Sequence, residues 1–257
     1  MLQLTAVLLF GLAWFGGVSL LNAAAHKLPC PRLIHWIYAM TFETLALLSV
    51  LLMRFFPISK KVKGNGRPIL LIHGYLNHGS VWRFPKRRLE GLGFGPIYTI
   101  NLGHPFRPIR IYAEKVAVQA EKIAKETGRK DLILIGHSMG GLVGGYYATH
   151  LAPPHTVTDV MTLGTPLFGT PLARIALGPN GREMEPRSLF LRALREAMAA
   201  HRSQIRFYHI ATQSDQLVIP GESAVIPEHP HRIFEDIGHA SLLYSKRVIH
   251  QISQWLL

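Results

Sequence analysis

Cysteine is nearly absent: Cys30 is the one thiol in 257 residues. An internal disulfide framework and a cysteine-based metal site are therefore both excluded, while the redox compartment stays open. Charged residues are scarce too, at 17% against 48% hydrophobic. That balance argues against a disordered chain and fits a globular domain with a more apolar appendage. Internal repeats, low-complexity tracts, zinc-finger spacings and basic-aromatic stripes are all missing, so no nucleic-acid module is recognised.

Acids are the scarcer charge, 15 against 28 Lys and Arg, for a formal net charge of +13. Setting aside Lys27, Arg32, Arg54 and Glu43 before residue 57 leaves 25 basic and 14 acidic residues, or about +11, on the remainder. Such a surface attracts anionic partners, and beside an apolar segment the expected partner is an anionic lipid surface. A basic surface that serves only solubility is the plainer alternative.

Residues 1–56 are expected to form a transmembrane hairpin. Residues 1–25 carry no charged side chain and are long enough to cross a hydrocarbon core of roughly 30 Å. The stretch from His26 to Arg32 holds two prolines and breaks the pattern, and Leu33 to Phe56 is apolar again apart from His35 and Glu43. Ala13 and Gly17 would let two helices approach closely. Two rivals stand. Ala23-Ala24-Ala25 suits a signal-peptide cleavage site, although no Lys or Arg precedes the apolar run. The second segment also suits a buried helix of the soluble domain, because Glu43 in lipid costs a few kcal/mol. Basic residues after the second segment outnumber those in the short loop. This predicts a two-pass protein of a bacterial inner membrane with its catalytic domain cytoplasmic.

Residues 57–67 read as a basic linker, and from residue 68 strands alternate with helices. Pro68–Ile72, Ile97–Asn101, Leu132–Ile135, Val160–Leu163, Ile205–Ala211 and Arg232–Phe234 read as strands. Val81–Leu92, Ile111–Thr127, Met139–Leu151 and Ser241–Trp255 read as helices. The alternation predicts an α/β domain over 68–257, with a mostly parallel sheet and helices on both faces.

Gly136-His137-Ser138-Met139-Gly140 sits between a strand and a helix, the context in which G-x-S-x-G forms a nucleophile elbow. Ser138 is the expected nucleophile, and its hydroxyl needs a base to take its proton. In such elbows an acid and then a histidine follow along the chain. Asp215, just after a strand, and His239, in Gly238-His239-Ala240 before the last helix, fill those places. His229 and His231 precede or open the last strand. Asp236 is too near His239 in sequence, and Asp131 and Asp159 belong to the opposite edge of the sheet. The expected oxyanion donors are the backbone N–H groups of Met139 and of Tyr75 in the loop after the first strand; a plain strand-ending turn at His73-Gly74 is the alternative.

These residues resemble the α/β-hydrolase superfamily, and within it the bacterial lipase/esterase branch. The resemblance spans about residues 68–257. It rests on Ile72-His73-Gly74-Tyr75, the Ser138 elbow, Leu163-Gly164-Thr165-Pro166 with Gly169-Thr170, Ser214-Asp215 with Val218 and Pro220, and Gly238-His239. It implies an ester substrate with an acyl chain, no cofactor and no metal, and a short cap at about 167–202. Residues 58–68 are too short for the two leading antiparallel strands usual in the family, which implies a sheet of about six strands. Phe168, Leu172, Phe190, Leu191 and Leu194, with Ile175 and Met198, are candidates for an apolar acyl pocket; core packing of one cap helix explains them equally well.

The leading reading is a membrane-anchored serine hydrolase of lipid-derived or other acyl esters, acting through an acyl-enzyme. A membrane acyltransferase would use the same triad, and an inactive membrane scaffold is the reading from outside enzymology. A peptidase would need an amine-recognising acid among Glu183, Glu185 and Glu196. The sequence leaves the oligomeric state open.

Overall fold

A computed structural model describes residues 64–257, together with Phe42, Glu43, Leu45, Ala46 and Ser49. Six parallel strands form one sheet in the order β2-β1-β3-β4-β5-β6. They are β1 (Ile69–Ile72), β2 (Ile97–Ile100), β3 (Leu132–His137), β4 (Val157–Leu163), β5 (Arg206–Thr212) and β6 (His231–Phe234). Every residue of β1 and β3 is buried, as strands covered on both faces must be. Alternation along them sorts side chains to two cores. Leu70, Ile72, Leu132 and Leu134 join one, and Ile69, Leu71, Ile133 and Ile135 join the other.

Helices cover both faces. On one side lie α2 (Ile109–Thr127) and α3 (Met139–Tyr146), and on the other α1 (Arg83–Gly91) and α6 (Lys246–Leu256). In α2 the buried Ile109, Tyr112, Ala113, Val116, Ala120 and Ile123 recur at helical spacing, so one stripe faces the sheet. Gly128 closes that helix in the left-handed conformation (φ 69°), which L side chains rarely tolerate. The expected helix after the nucleophile changes character at Tyr147, where residues Tyr147–Leu151 continue it as a π-type turn. The expected last helix is split into a 3-10 turn, Ala240–Leu243, and α6.

Because all six strands run parallel, their C-terminal ends lie along one edge, where sheets of this kind bind ligands. Ile72 pairs with Gly136 and with Ile100, which brings the loops after β1, β2 and β3 side by side. At the opposite edge, Asp159 is fully buried and holds Arg67 and Arg206 at 2.7 Å each. This is structural use of an acid far from the C-terminal strand ends.

The cap consists of a 3-10 turn (Pro171–Ile175), α4 (Pro179–Glu183) and α5 (Leu189–Ala200). Glu183 accepts the N–H of Ile109 at 2.7 Å, and Asn180 Nδ2 donates to Pro105 O at 2.8 Å, so α4 is fastened to the start of α2. On α5, Leu191, Leu194 and Met198 are buried at 0–1% exposure, in the same core as α3.

The expected hairpin falls largely outside the described residues. Among the described residues, no helix is long and apolar enough to cross a membrane. The described part of the second segment is helical, and it meets the catalytic domain: Glu43 is fully buried and Ala46 6% exposed, while Phe42 and Leu45 face outward. Around Glu43 the chain therefore packs as a helix against the α/β domain, because a buried carboxylate needs hydrogen-bond donors that hydrocarbon lacks.

Leu194→Ala should cost about 2–5 kcal/mol of stability, as a buried leucine facing a packed helix does. Urea unfolding measures this; a loss under about 1 kcal/mol would place Leu194 outside the core.

Candidate active site

Ser138 stands between β3 and α3 with φ 56° and ψ −130°, a strained conformation for a non-glycine residue. Two features hold it there. Its N–H donates to Leu163 O at 2.8 Å, and its carbonyl accepts Thr165 Oγ1 at 2.9 Å. The turn closes because Gly136 and Gly140 lie backbone against backbone; a Cβ on Gly140 would stand 2.6 Å from His73 O. Met139 follows as the first residue of α3, where an N–H has no intrahelical acceptor.

His239 and Asp215 arrive from the loops after β6 and β5. His239 Nδ1 and Asp215 Oδ2 are 2.8 Å apart, and both side chains are buried. Asp215 Oδ1 accepts the N–H groups of Leu217 at 2.8 Å and Val218 at 2.7 Å, so the carboxylate is aimed by its own loop. Burial by itself would lower the His239 pKa. The Asp215 charge and hydrogen bond, together with the Glu43 charge, outweigh it and raise the pKa above its ordinary 6.5. Asp215 thus holds the ring in the tautomer that leaves Nε2 free as a base.

The neighbours of the triad residues were not foreseen. His137 sits with its ring centroid 4.7 Å from that of His239, and its Nε2 donates to the His239 carbonyl at 3.0 Å. Burial first, and the His239 charge second, push His137 down to about 3, so it stays neutral. Gln216 Oε1 accepts the His239 N–H at 3.1 Å. His73 Nε2 accepts the N–H of Leu102 at 3.0 Å, and Nδ1 donates to Gly74 O at 2.9 Å, which ties the loop carrying Tyr75 to the end of β2. Thr170 Oγ1 donates to Leu217 O at 2.8 Å, joining the cap to the Asp215 loop. Apart from the bond between His73 and Gly74, each of these contacts joins residues distant along the chain, so local pattern carried no signal for it.

A cavity of about 430 Å³ opens beside these residues, lined by Ser138, His137, His239, Tyr75, Leu172 and Met184 among others. Leu76, Asn77, Ile175, Leu217 and Val218 complete much of its wall. Of the acyl-pocket candidates, the structure brings Leu172 and Ile175 to the cavity. Phe168 lies elsewhere, under the Arg195 guanidinium at 4.3 Å. Phe190 stacks on Tyr146. Leu191 and Leu194 are core residues, because α5 turns its apolar stripe toward α3 and not toward the nucleophile. The Tyr75 hydroxyl bonds the backbone of Leu177 in both directions, donating at 2.8 Å and accepting at 2.9 Å, so the oxyanion loop and the cap form one wall. Among the described residues, no group of three or more His, Cys, Asp or Glu is placed to hold a metal ion.

The Alpha/beta hydrolase family model matches residues 69–245. The chain belongs to that family. A curated relative, the pimeloyl-[acyl-carrier protein] methyl ester esterase of Vibrio cholerae, is 30% identical over 113 residues, 41% of this chain and 39% of that protein. The match thus covers well under half the length of that relative. Among solved structures, the mature form of a Bacillus licheniformis lipase superposes with a TM-score of 0.65 at 19% identity, over 78% of this chain and 95% of that one. Aspergillus fumigatus lipase B gives 0.63 at 17% identity, over 75% and 54%. At such identities these structures establish the α/β-hydrolase fold.

Since His239 must be neutral to accept a proton, the reaction of Ser138 with a fluorophosphonate should rise with pH through a pKa above 6.5. Asp215→Asn should move that limb to lower pH, because it removes the charge that favours the imidazolium. Stability should run the other way. The raised His239 pKa stabilises the fold fully below the unfolded-state value, and this contribution is lost as pH rises through the folded value. An inactivation limb that stays in place in Asp215→Asn would remove Asp215 from the site.

Proposed function

We propose that the chain hydrolyses carboxylic esters carrying an apolar acyl chain, with Ser138 as nucleophile, His239 as general base and acid, and Asp215 as its orienting carboxylate. One observation carries the reading. A strained serine and a histidine bonded to a buried aspartate line the same apolar cavity.

The reaction follows from the geometry. Ser138 Oγ attacks the ester carbonyl as its proton passes to His239 Nε2. The developing oxyanion is met by the N–H of Met139 and the N–H of Tyr75, donors that need no reorganisation when the charge forms. The imidazolium returns the proton to the departing alkoxide, leaving an acyl-enzyme and an alcohol. Water, deprotonated by His239, then releases the acid. Leu172, Ile175, Met184, Leu217 and Val218 make the cavity suited to hydrocarbon. The relationship to an esterase acting on an acyl-chain methyl ester supports the same substrate class. Glu183, one of the three acids a peptidase could recruit, is committed to the start of α2.

Membrane anchorage is part of the same proposal. Residues 1–25 supply an uncharged apolar stretch, and the basic remainder suits anionic headgroups on a cytoplasmic face. An enzyme so held would meet lipid-derived esters at high local concentration.

Purified protein should hydrolyse p-nitrophenyl acyl esters, and Ser138→Ala should lose that activity by at least about 1000-fold. Leu172→Trp should depress kcat/KM for long acyl chains by about tenfold or more relative to acetate. Activity unchanged in Ser138→Ala would overturn the nucleophile, and turnover only with an added alcohol acceptor would reassign the enzyme to acyl transfer. In cell fractions, the full chain should stay with membranes through an alkaline carbonate wash. Complete release into the supernatant would sink the anchorage.

A further inference from the structure

The segment ahead of the family domain places an acid behind the active-site histidine. Glu43 lies 26 residues before the matched region begins at residue 69, yet it is fully buried beside the His239 loop. Its Oε1 accepts the N–H of Ala240 at 2.6 Å, and its Oε2 accepts the N–H of Ser241 at 2.9 Å. Both donors belong to the first turn of the Ala240–Leu243 3-10 helix, where backbone N–H groups need outside acceptors. The two residues bonded are the two that directly follow the catalytic histidine.

Three further observations fix this arrangement. Ala46 is buried, and Ser49 Oγ donates to Tyr244 Oη at 3.1 Å, so residues 43, 46 and 49 present one helical face to the stretch from Gly238 to Tyr244. Gly238 is cut to fit. A Cβ there would stand 2.7 Å from Glu43 Cδ and 2.9 Å from Glu43 Cβ. A side chain at 238 would therefore push the Glu43 side chain out of this position.

We propose that Glu43 is a positioning residue for the catalytic histidine, by which the N-terminal segment completes the active site. The inference rests on the Ser138–His239–Asp215 reading. His239 is held on every side: its ring by Asp215, its N–H by Gln216, its carbonyl by His137, and its next two N–H groups by Glu43. Glu43 also acts through charge. The groups facing His239 are Asp215, Glu43, His137 and Ser138, with His73 behind His137. Of these Asp215 and Glu43 are the carboxylates that favour the imidazolium. The positive charge that His239 gains when Ser138 loses its proton is thus shared between two carboxylates, one from the family domain and one from the segment before it. Burial raises the Glu43 pKa above its ordinary 4.5, and the N–H groups of Ala240 and Ser241, together with the His239 charge, oppose that rise; two N–H groups aimed at its two oxygens and a neighbouring imidazolium are the partners that favour the carboxylate.

The test uses the full chain. Fluorophosphonate labelling of Ser138 in the unaltered protein is established first, and its failure would count against the triad reading. Glu43→Gln keeps the shape and removes the charge. It should lower kcat by about tenfold, the scale of one pKa unit of lost charge interaction, with KM for a p-nitrophenyl ester little changed. The acid limb of kcat/KM should move to lower pH. Glu43→Asp keeps the charge and should hold the limb near its original position with part of the rate restored. The His239 imidazole proton resonances, titrated by NMR, report the same shift without any substrate. A Glu43→Gln protein whose His239 titration and kcat are unmoved overturns the proposal. So does one that loses activity only in step with its folded fraction. If Glu43→Gln does not fold, Gly238→Ala crowds the carboxylate away from Ala240 and Ser241 and should move the His239 titration in the same direction; an unmoved titration there overturns the proposal as well.

Discussion

Everything at the active edge depends on how closely α3 lies against β3 and β1. The backbone of Gly140 touches the carbonyl groups at the end of β1, and Gly136 touches the first turn of α3. No side chain fits in either place, so the chain reverses from strand to helix in a single residue. That residue is Ser138, and the reversal forces its positive φ. The strain, on the order of 1–3 kcal/mol, is borne by the parallel sheet, whose burial on both faces over-determines the turn. Hydrogen bonds from Thr165 and to Leu163 then lock it from β4. Ser138 lines the cavity because the backbone around it is packed too tightly to point it anywhere else.

The electrostatics of the site follow from the same closeness. His239 is buried, which alone would keep it neutral and make it a weak base. A buried aspartate aimed by two backbone N–H groups reverses that outcome. His137, a second imidazole packed against the first, is kept neutral by the same burial and so acts only as a donor to the loop carbonyl. Two histidines 4.7 Å apart thus take opposite roles, and the difference lies in which of them has a carboxylate partner.

The cap shows how little sequence separates a pocket wall from a core. Leu172 and Ile175 belong to one short 3-10 turn and reach the cavity, whereas Leu191 and Leu194 on α5 fill the space beside α3. Both groups are apolar at helical spacing. Tyr75, expected for its backbone N–H, also carries the hydroxyl that ties the cap to the oxyanion loop.

The sequence by itself determined the six strands and their alternation with helices, and it marked Ser138 in its strand-to-helix turn with Asp215 and His239 as members of one candidate site. Periodicity, turn glycines and strand-end placement are local properties, and each is written within a few neighbouring residues. Only the tertiary structure decided which face of α5 is buried, which cap residues line the cavity, and that His73, His137, Gln216 and Thr165 support the catalytic loops. Glu43 is the sharpest instance. As a lone acid in an apolar stretch it suggested either a cost in lipid or a buried helix. Its partners stand 197 and 198 positions away, and no pattern along a chain encodes a contact made by two segments that meet only when the sheet between them has formed.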